Sequence, residues 1–97
     1  MAAHDAAHIE ELSLKNNGLG VEAARAVAAY TRVSGPLTYL SLWNNGIGAE
    51  GAQAIADALR VNGSLTKLDV GYNSIDDAAK AALREAVKGR DGFSLNV

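Results

Sequence analysis

The chain has no cysteine, no long apolar run and no excess of charge of one sign. Without cysteine there is no disulfide framework and no thiolate zinc site, which fits a reducing compartment. No stretch approaches the roughly 20 apolar residues of a membrane-spanning helix, so we expect no membrane segment. A net charge of −2, from 9 basic and 11 acidic residues, disfavours a nucleic-acid-binding surface, which needs clustered lysine and arginine.

Reactive side chains are also scarce. No spacing places a base beside a nucleophile, so we expect neither an enzyme nor a bound cofactor. His4 and His8, with Asp5 between them, could hold a metal on one helix face. A polar cap or a disordered terminus is the favoured interpretation of that segment.

The N-terminus has no basic start and no apolar run, so we expect no secretory signal. Without a secretory route, we interpret the glycosylation sequon Asn62-Gly63-Ser64 as a chance match.

What the chain does have is a 28-residue repeat. Three copies begin at Ile9, Leu37 and Leu65, and each matches the pattern L-x-x-L-x-L-x-x-N-x-L. The fifteen matching positions are Ile9, Leu12, Leu14, Asn17, Leu19, Leu37, Leu40, Leu42, Asn45, Ile47, Leu65, Leu68, Val70, Asn73 and Ile75.

This pattern resembles the leucine-rich repeat, over nearly the whole chain. The period and the alanine-rich second halves are similar to the ribonuclease-inhibitor subtype, and the segment NGIGAEGAQAIADAL at 45–59 is similar to repeats of NOD-like receptors. The resemblance implies a single α/β domain over 1–97. It would be a right-handed β-α solenoid with a parallel sheet on the concave side, helices on the convex side and a terminal strand near 93–97. The resemblance further implies cytoplasmic protein recognition.

Local patterns agree with this architecture. Apolar and polar residues alternate around the leucines, which predicts short strands with one buried face. Helical periodicity and end signals predict helices over 21–33, 49–61 and 77–88. Three columns of equivalent positions are expected on the buried helix face: Val27, Ile55 and Leu83; Ala23, Gly51 and Ala79; and Ala26, Ala54 and Ala82.

Two details of the repeat carry structural expectations. Asn17, Asn45 and Asn73 follow the strands, where a buried amide satisfies backbone groups that the turn leaves unpaired; the family resemblance implies a ladder of such asparagines. Leu95 follows Leu68 by 27 residues rather than 28, which predicts a lost residue or a bulge near 89–92.

One segment also matches a nucleotide-binding pattern. Gly46, Gly48 and Gly51 fit G-x-G-x-x-G between a strand and a helix, with Asp69 about 20 residues further on. The equivalent stretches at 18–23 and 74–79 show that these glycines belong to the repeat. We therefore interpret them as turn residues.

The outward strand positions form the predicted partner-binding surface. Trp43 and Tyr39 lie on one face of the second strand and Tyr72 lies beyond the next, and such aromatic residues are common interface anchors. The alternative is that these rings cover only each other. The proposed contact residues are Tyr39, Ser41, Trp43, Lys67, Asp69 and Tyr72. Tyr30 is expected to pack under the N-terminal segment.

The terminal strand is a second candidate surface. Phe93, Leu95 and Val97 lie on a strand whose open edge could pair with another copy, giving a homodimer or larger assembly. The alternatives are a piece of a longer solenoid or an engineered minimal repeat scaffold.

Overall fold

The computed structural model describes residues 9–97, and strands alternate with helices throughout this range. The elements in chain order are β1 Glu11–Ser13, α1 Gly20–Val33, β2 Tyr39–Ser41, α2 Gly48–Leu59, β3 Lys67–Asp69, α3 Asp77–Ala86 and β4 Ser94–Asn96. The predicted order of strands and helices is confirmed.

The four strands form one parallel sheet in the order β1-β2-β3-β4. Leu12, Leu40 and Leu68 are register partners, so equivalent residues of successive copies lie side by side across the sheet. Leu68 pairs with Leu95, which confirms that the last copy has lost one residue without a shift of the buried face.

The core lies between the sheet and the helices. Leu40 and Leu68 are fully buried beneath the strands, and Ile55 and Leu83 are fully buried from the helix side. Ala24, Ala28, Ala52 and Ala56 occupy equivalent columns of α1 and α2, and their small side chains let these helices pack closely.

One of the three columns predicted to face the core lies at the edge of the buried helix face instead. Ala26 is exposed, and its equivalents Ala54 and Ala82 are only half-buried. The alanine-rich repeat explains the error, because alanine occupies both the inner positions and the flanks, so composition alone does not mark the inward face.

The helices begin in two ways. Gly20 and Gly48 start α1 and α2 with φ values of 73° and 64°, in the left-handed region that glycine adopts readily. In the third copy Asp76 takes the equivalent place, and its carboxylate accepts a hydrogen bond of 2.8 Å from the Ala79 amide. The first helix ends where predicted, whereas α2 and α3 end at Leu59 and Ala86, two residues before the predicted ends.

Candidate protein-binding surface

The outer face of the sheet carries rows of side chains, with one residue from each strand in a row. Tyr39 and Lys67 belong to one row, and Ser41 and Asp69 to the next. Trp43 and Gly71 follow at the carboxyl ends of β2 and β3, where the Asn44 amide donates to the Gly71 carbonyl at 2.9 Å. The repeat register therefore brings five of the six predicted contact residues, all but Tyr72, onto this face.

A ladder of buried asparagines fixes the turns that follow the strands. The Asn45 side-chain oxygen accepts from the amides of Asn17, at 2.8 Å, and Leu19, at 3.3 Å. Its nitrogen donates to the Leu14 carbonyl at 2.7 Å and the Trp43 carbonyl at 3.3 Å. Because one side chain holds four backbone groups, the backbone that carries Trp43 is fixed.

The same arrangement recurs one copy later. Asn73 accepts from the amides of Asn45 and Ile47 and donates to the Leu42 carbonyl, and it is 2% exposed. Asn17 differs because it is exposed, and within residues 9–97 its nitrogen donates to Leu14 and Lys15 of its own turn. The predicted ladder is confirmed, and its buried members are those of the second and third copies.

Trp43 and Tyr72 form an aromatic pair at this end of the sheet. Their ring centroids are 5.1 Å apart and the ring planes meet at 86°, an edge-to-face geometry that aromatic pairs favour. Gly71 makes room for the indole, because a Cβ on Gly71 would lie 3.0 Å from Trp43 Cδ1. Trp43 is half-buried and Tyr72 is 77% exposed, so the pair presents an apolar surface to solvent.

Tyr72 occupies a backbone position that suits smaller residues. Its φ is 54°, and the equivalent residues Asn16 and Asn44 have φ values of 58° and 56°. Asparagine tolerates this left-handed region, whereas a bulky aromatic residue there is strained, typically by about 1–3 kcal/mol. Asn44 also donates to the Asn16 side-chain oxygen at 2.7 Å. The third copy thus replaces a favourable asparagine with a strained, exposed tyrosine.

Ser74 is a second residue of the same turn in an unfavourable backbone conformation. Its φ is 55°, where the two earlier copies have Gly18 and Gly46. Ser74 is exposed and adds no aromatic surface, so the strain at Tyr72 and the strain at Ser74 can be tested separately.

A polar row lies beside the aromatic pair. The Lys67 ammonium group sits 5.2 Å from the centre of the Tyr39 ring, a cation–π contact. One Asp69 carboxylate oxygen accepts from the Gly71 amide at 3.1 Å and from the Asn96 side chain at 2.8 Å. The outer face thus combines aromatic, cationic and anionic groups in fixed positions.

Ser41 does not belong to the accessible surface. It was expected to face a partner, but it is fully buried, and its hydroxyl lies 3.5 Å from the Trp43 amide. Its side chain is short and lies between the larger Tyr39 and Trp43 on the same strand face. Strand alternation predicts which way a side chain points, but not whether taller neighbours cover it.

The terminal strand packs on the solenoid through half-buried apolar residues. Phe93, Leu95 and Val97 contact the core from the last copy. An open cavity of about 670 Å³ lies between α3 and β4, lined in part by Val87, Phe93 and Leu95. Pairing of the outer edge of β4 with another chain stays a prediction.

Arg90 attaches the segment before β4 to the preceding copy, a role that was not predicted from the sequence. Its guanidinium donates to the carbonyls of Leu59, at 3.0 Å, and Leu65, at 2.6 Å, and it lies 5.1 Å from the Phe93 ring centre. One copy earlier, Asn62 donates to the Thr31 carbonyl at 2.7 Å. The repeat spacing could have indicated this role, because Arg90 and Leu59 each lie 28 residues after Asn62 and Thr31, which form the equivalent hydrogen bond.

The other sequence motifs have structural roles. Gly46 and Gly48 adopt positive φ, and a Cβ on Gly51 would lie 2.8 Å from Ile47 Cβ, so all three glycines meet demands of the turn and helix packing. Asn62 is 5% exposed and fully hydrogen-bonded, which fits the interpretation of its sequon as a chance match.

The predictions for the N-terminal segment concern residues outside the described range. They include the metal pair His4 and His8 with Asp5, and the packing partner of Tyr30, which is itself half-buried against the core. Within residues 9–97, no three His, Cys, Asp or Glu side chains cluster as a metal site would require. None of the helices in this range has the length and hydropathy needed to cross a membrane.

These features define a solenoid of stacked β-α units whose turns are joined by asparagines. The chain belongs to the leucine-rich repeat family: the family model described as "Leucine Rich repeat" matches residues 6–28, 36–56 and 61–79, more than half of the sequence. Such repeats generally mediate protein–protein interaction and are typically non-enzymatic. A search of curated proteins gives no match to this chain.

Proposed function

We propose that the chain is a protein-interaction module of the ribonuclease-inhibitor subtype that binds its partner through the outer, concave face of the sheet. The observation that carries the proposal is the Trp43–Tyr72 pair. An exposed aromatic residue at a strained backbone position lowers stability without filling the core. A gain in binding accounts for its presence better than a structural role does.

The contact surface runs from this pair along the neighbouring rows. Trp43 and Tyr72 would act as the anchors, because large aromatic residues dominate the free energy of many interfaces. Tyr39, Lys67 and Asp69 would supply the polar surround. Their positions are held by contacts within the sheet, so little side-chain ordering is required when a partner binds.

A set of matched variants tests this proposal. Tyr72→Asn restores the residue found in the two earlier copies, so it should fold at least as stably as the wild type while losing an anchor. Ser74→Gly makes the equivalent change two residues away and should leave binding unaltered. Trp43→Ala should weaken binding by about 2 kcal/mol or more.

The measurement is a quantitative affinity capture from a cell extract, followed by titration of the recovered protein against each variant. Circular dichroism confirms that all variants are folded. We expect Tyr72→Asn and Trp43→Ala to lose the partner and Ser74→Gly to retain it. Equal recovery by the wild type and both aromatic variants would refute the concave face as the binding surface, and loss of fold in Trp43→Ala would assign Trp43 to the core.

A second candidate function is self-assembly through β4. The supporting observation is the set of half-exposed apolar side chains Phe93, Leu95 and Val97 beside the cavity that β4 forms with α3. A parallel contact between β4 of one copy and β1 of the next would continue the sheet. Light scattering over a concentration series tests this candidate, and a constant monomer mass would exclude it.

A further inference from the structure

We propose that the helix side of the solenoid carries a second docking surface, for an acidic peptide in an extended, polyproline-like conformation. The surface is a stripe formed by equivalent residues of the three copies, which lie at the end of α1 and just after α2 and α3. We define this Arg–Val stripe as Arg32 and Val33, Arg60 and Val61, and Lys88. It lies on different elements from the aromatic face, so it does not depend on the function proposed above.

The valines of the stripe are exposed although they are apolar. Val33 is 80% exposed and Val61 is 57% exposed, and with Tyr72 they are the large hydrophobic residues that face solvent within residues 9–97. They occupy equivalent positions one repeat apart. Their exposure is therefore repeated along the solenoid, whereas a single exposed valine would need no explanation.

The cations of the stripe have no anionic partner in the described part of the chain. The ion pairs there join Arg25 to Glu22, at 3.1 Å, and to Glu50, at 3.0 Å. Asp57, one turn before Arg60, instead accepts from Gln53 at 3.2 Å. Arg32, Arg60 and Lys88 are all exposed, so the stripe offers a row of three available positive charges.

Helix spacing determines which ligand fits this row. Packed helices lie about 8–10 Å apart, and the stripe residues repeat with the helices, so we expect neighbouring cations of the stripe to repeat at a similar distance. A polyproline II peptide rises about 3.1 Å per residue with three residues per turn, so every third side chain lies on one face about 9 Å from the last. A glutamate at every third position would therefore meet one cation per repeat.

A groove beside the stripe suits an apolar side chain of such a peptide. It lies between α1 and α2, has a volume of about 230 Å³, and is lined by Ala28, Ala29, Arg32, Ala54, Asp57 and Ala58. Arg32 lines the groove and also belongs to the stripe. A leucine in the groove would thus place a neighbouring glutamate of the ligand near the Arg32 guanidinium.

The probe is a fluorescent peptide of repeated Glu-Pro-Leu triplets, titrated with the full chain at low salt by fluorescence anisotropy. We expect binding that weakens as salt is added. The double variant Arg32→Glu with Arg60→Glu should bind about tenfold more weakly, from two lost ion pairs and the repulsion that replaces them. Val33→Ser with Val61→Ser should also weaken binding, and its exposed positions leave the fold intact.

Lys15→Glu is the control for charge, because it makes at one exposed residue of the sheet side the same change of charge that each arginine substitution makes. It should leave the affinity unchanged, and a Lys-Pro-Leu peptide should not bind. Equal weakening by Lys15→Glu would show attraction by overall charge and overturn the proposal. Absence of peptide binding, or arginine-dependent binding to phosphatidylserine vesicles instead of the peptide, would overturn it as well.

Discussion

Replacing Arg90 with methionine should destabilise the protein more than any exposed-arginine substitution. The guanidinium donates to two backbone carbonyls, of Leu59 at 3.0 Å and Leu65 at 2.6 Å, and both residues are almost completely buried. Hydrogen bonds from a charged donor contribute about 1.5–3 kcal/mol each. Arg90 is half-buried, so water replaces part of this contribution in the variant. We expect a loss of about 2–4 kcal/mol in the free energy of unfolding.

That loss is large for a domain of this size, whose total stability is about 5–15 kcal/mol. Urea denaturation followed by circular dichroism measures it directly, and the melting temperature should fall by about 10 °C or more. Hydrogen exchange adds a local test, because the Ser94 amide, bonded to the Thr66 carbonyl at 2.9 Å, should lose protection first.

Two further variants serve as controls for Arg90. Arg90→Lys keeps the charge but not the two-pronged geometry, so it should recover only part of the loss. Arg84→Met removes an exposed arginine from the same helix region and should change stability by less than about 0.5 kcal/mol. A change below about 0.5 kcal/mol for Arg90→Met would show that its two hydrogen bonds do not hold the terminal strand.

Two other substitutions test the turns between copies. Asn45→Ala should cost about 3 kcal/mol or more in urea denaturation, because four backbone groups lose their partner, while Asn17→Ala should cost less than about 1 kcal/mol. Equal costs would contradict the ladder. Ser34→Ala should stabilise the protein by up to about 1 kcal/mol, because within residues 9–97 the Ser34 hydroxyl is buried without a hydrogen-bond partner. A lower melting temperature in this variant would show that the hydroxyl has a partner.

The repeat and its register could be predicted because they depend on residue type at fixed spacing. The leucine positions required one buried strand face, and that face determined which residues of β2 and β3 point outward. The asparagine ladder was equally predictable, because a polar residue at an otherwise apolar repeat position must satisfy buried backbone groups. Even the missing residue of the last copy was visible in the spacing of Leu68 and Leu95.

Features that depend on side-chain size or reach could not be predicted from the spacing. Ser41 occupies an outward strand position but is fully buried, and Ala26 follows the helical period but is exposed. Arg90 donates to the Leu59 carbonyl, whereas one copy earlier the shorter Asn62 donates to the equivalent carbonyl of Thr31. The strain at Tyr72 became visible only from its backbone φ, although its place in the column of Asn16 and Asn44 pointed to an unusual residue.

Within residues 9–97, the hydrogen bonds that join a side chain of one copy to the backbone of another always have the side chain in the later copy. Asn45 binds backbone groups of the first copy, Asn73 those of the second, and Arg90 carbonyls of the residues before it. Each copy is therefore completed by the one synthesised after it. At a translation rate of about 5–20 residues per second, a newly made copy waits a few seconds for its partner. On the ribosome the solenoid would consolidate from its N-terminal side, and the growing end would always be the incomplete one.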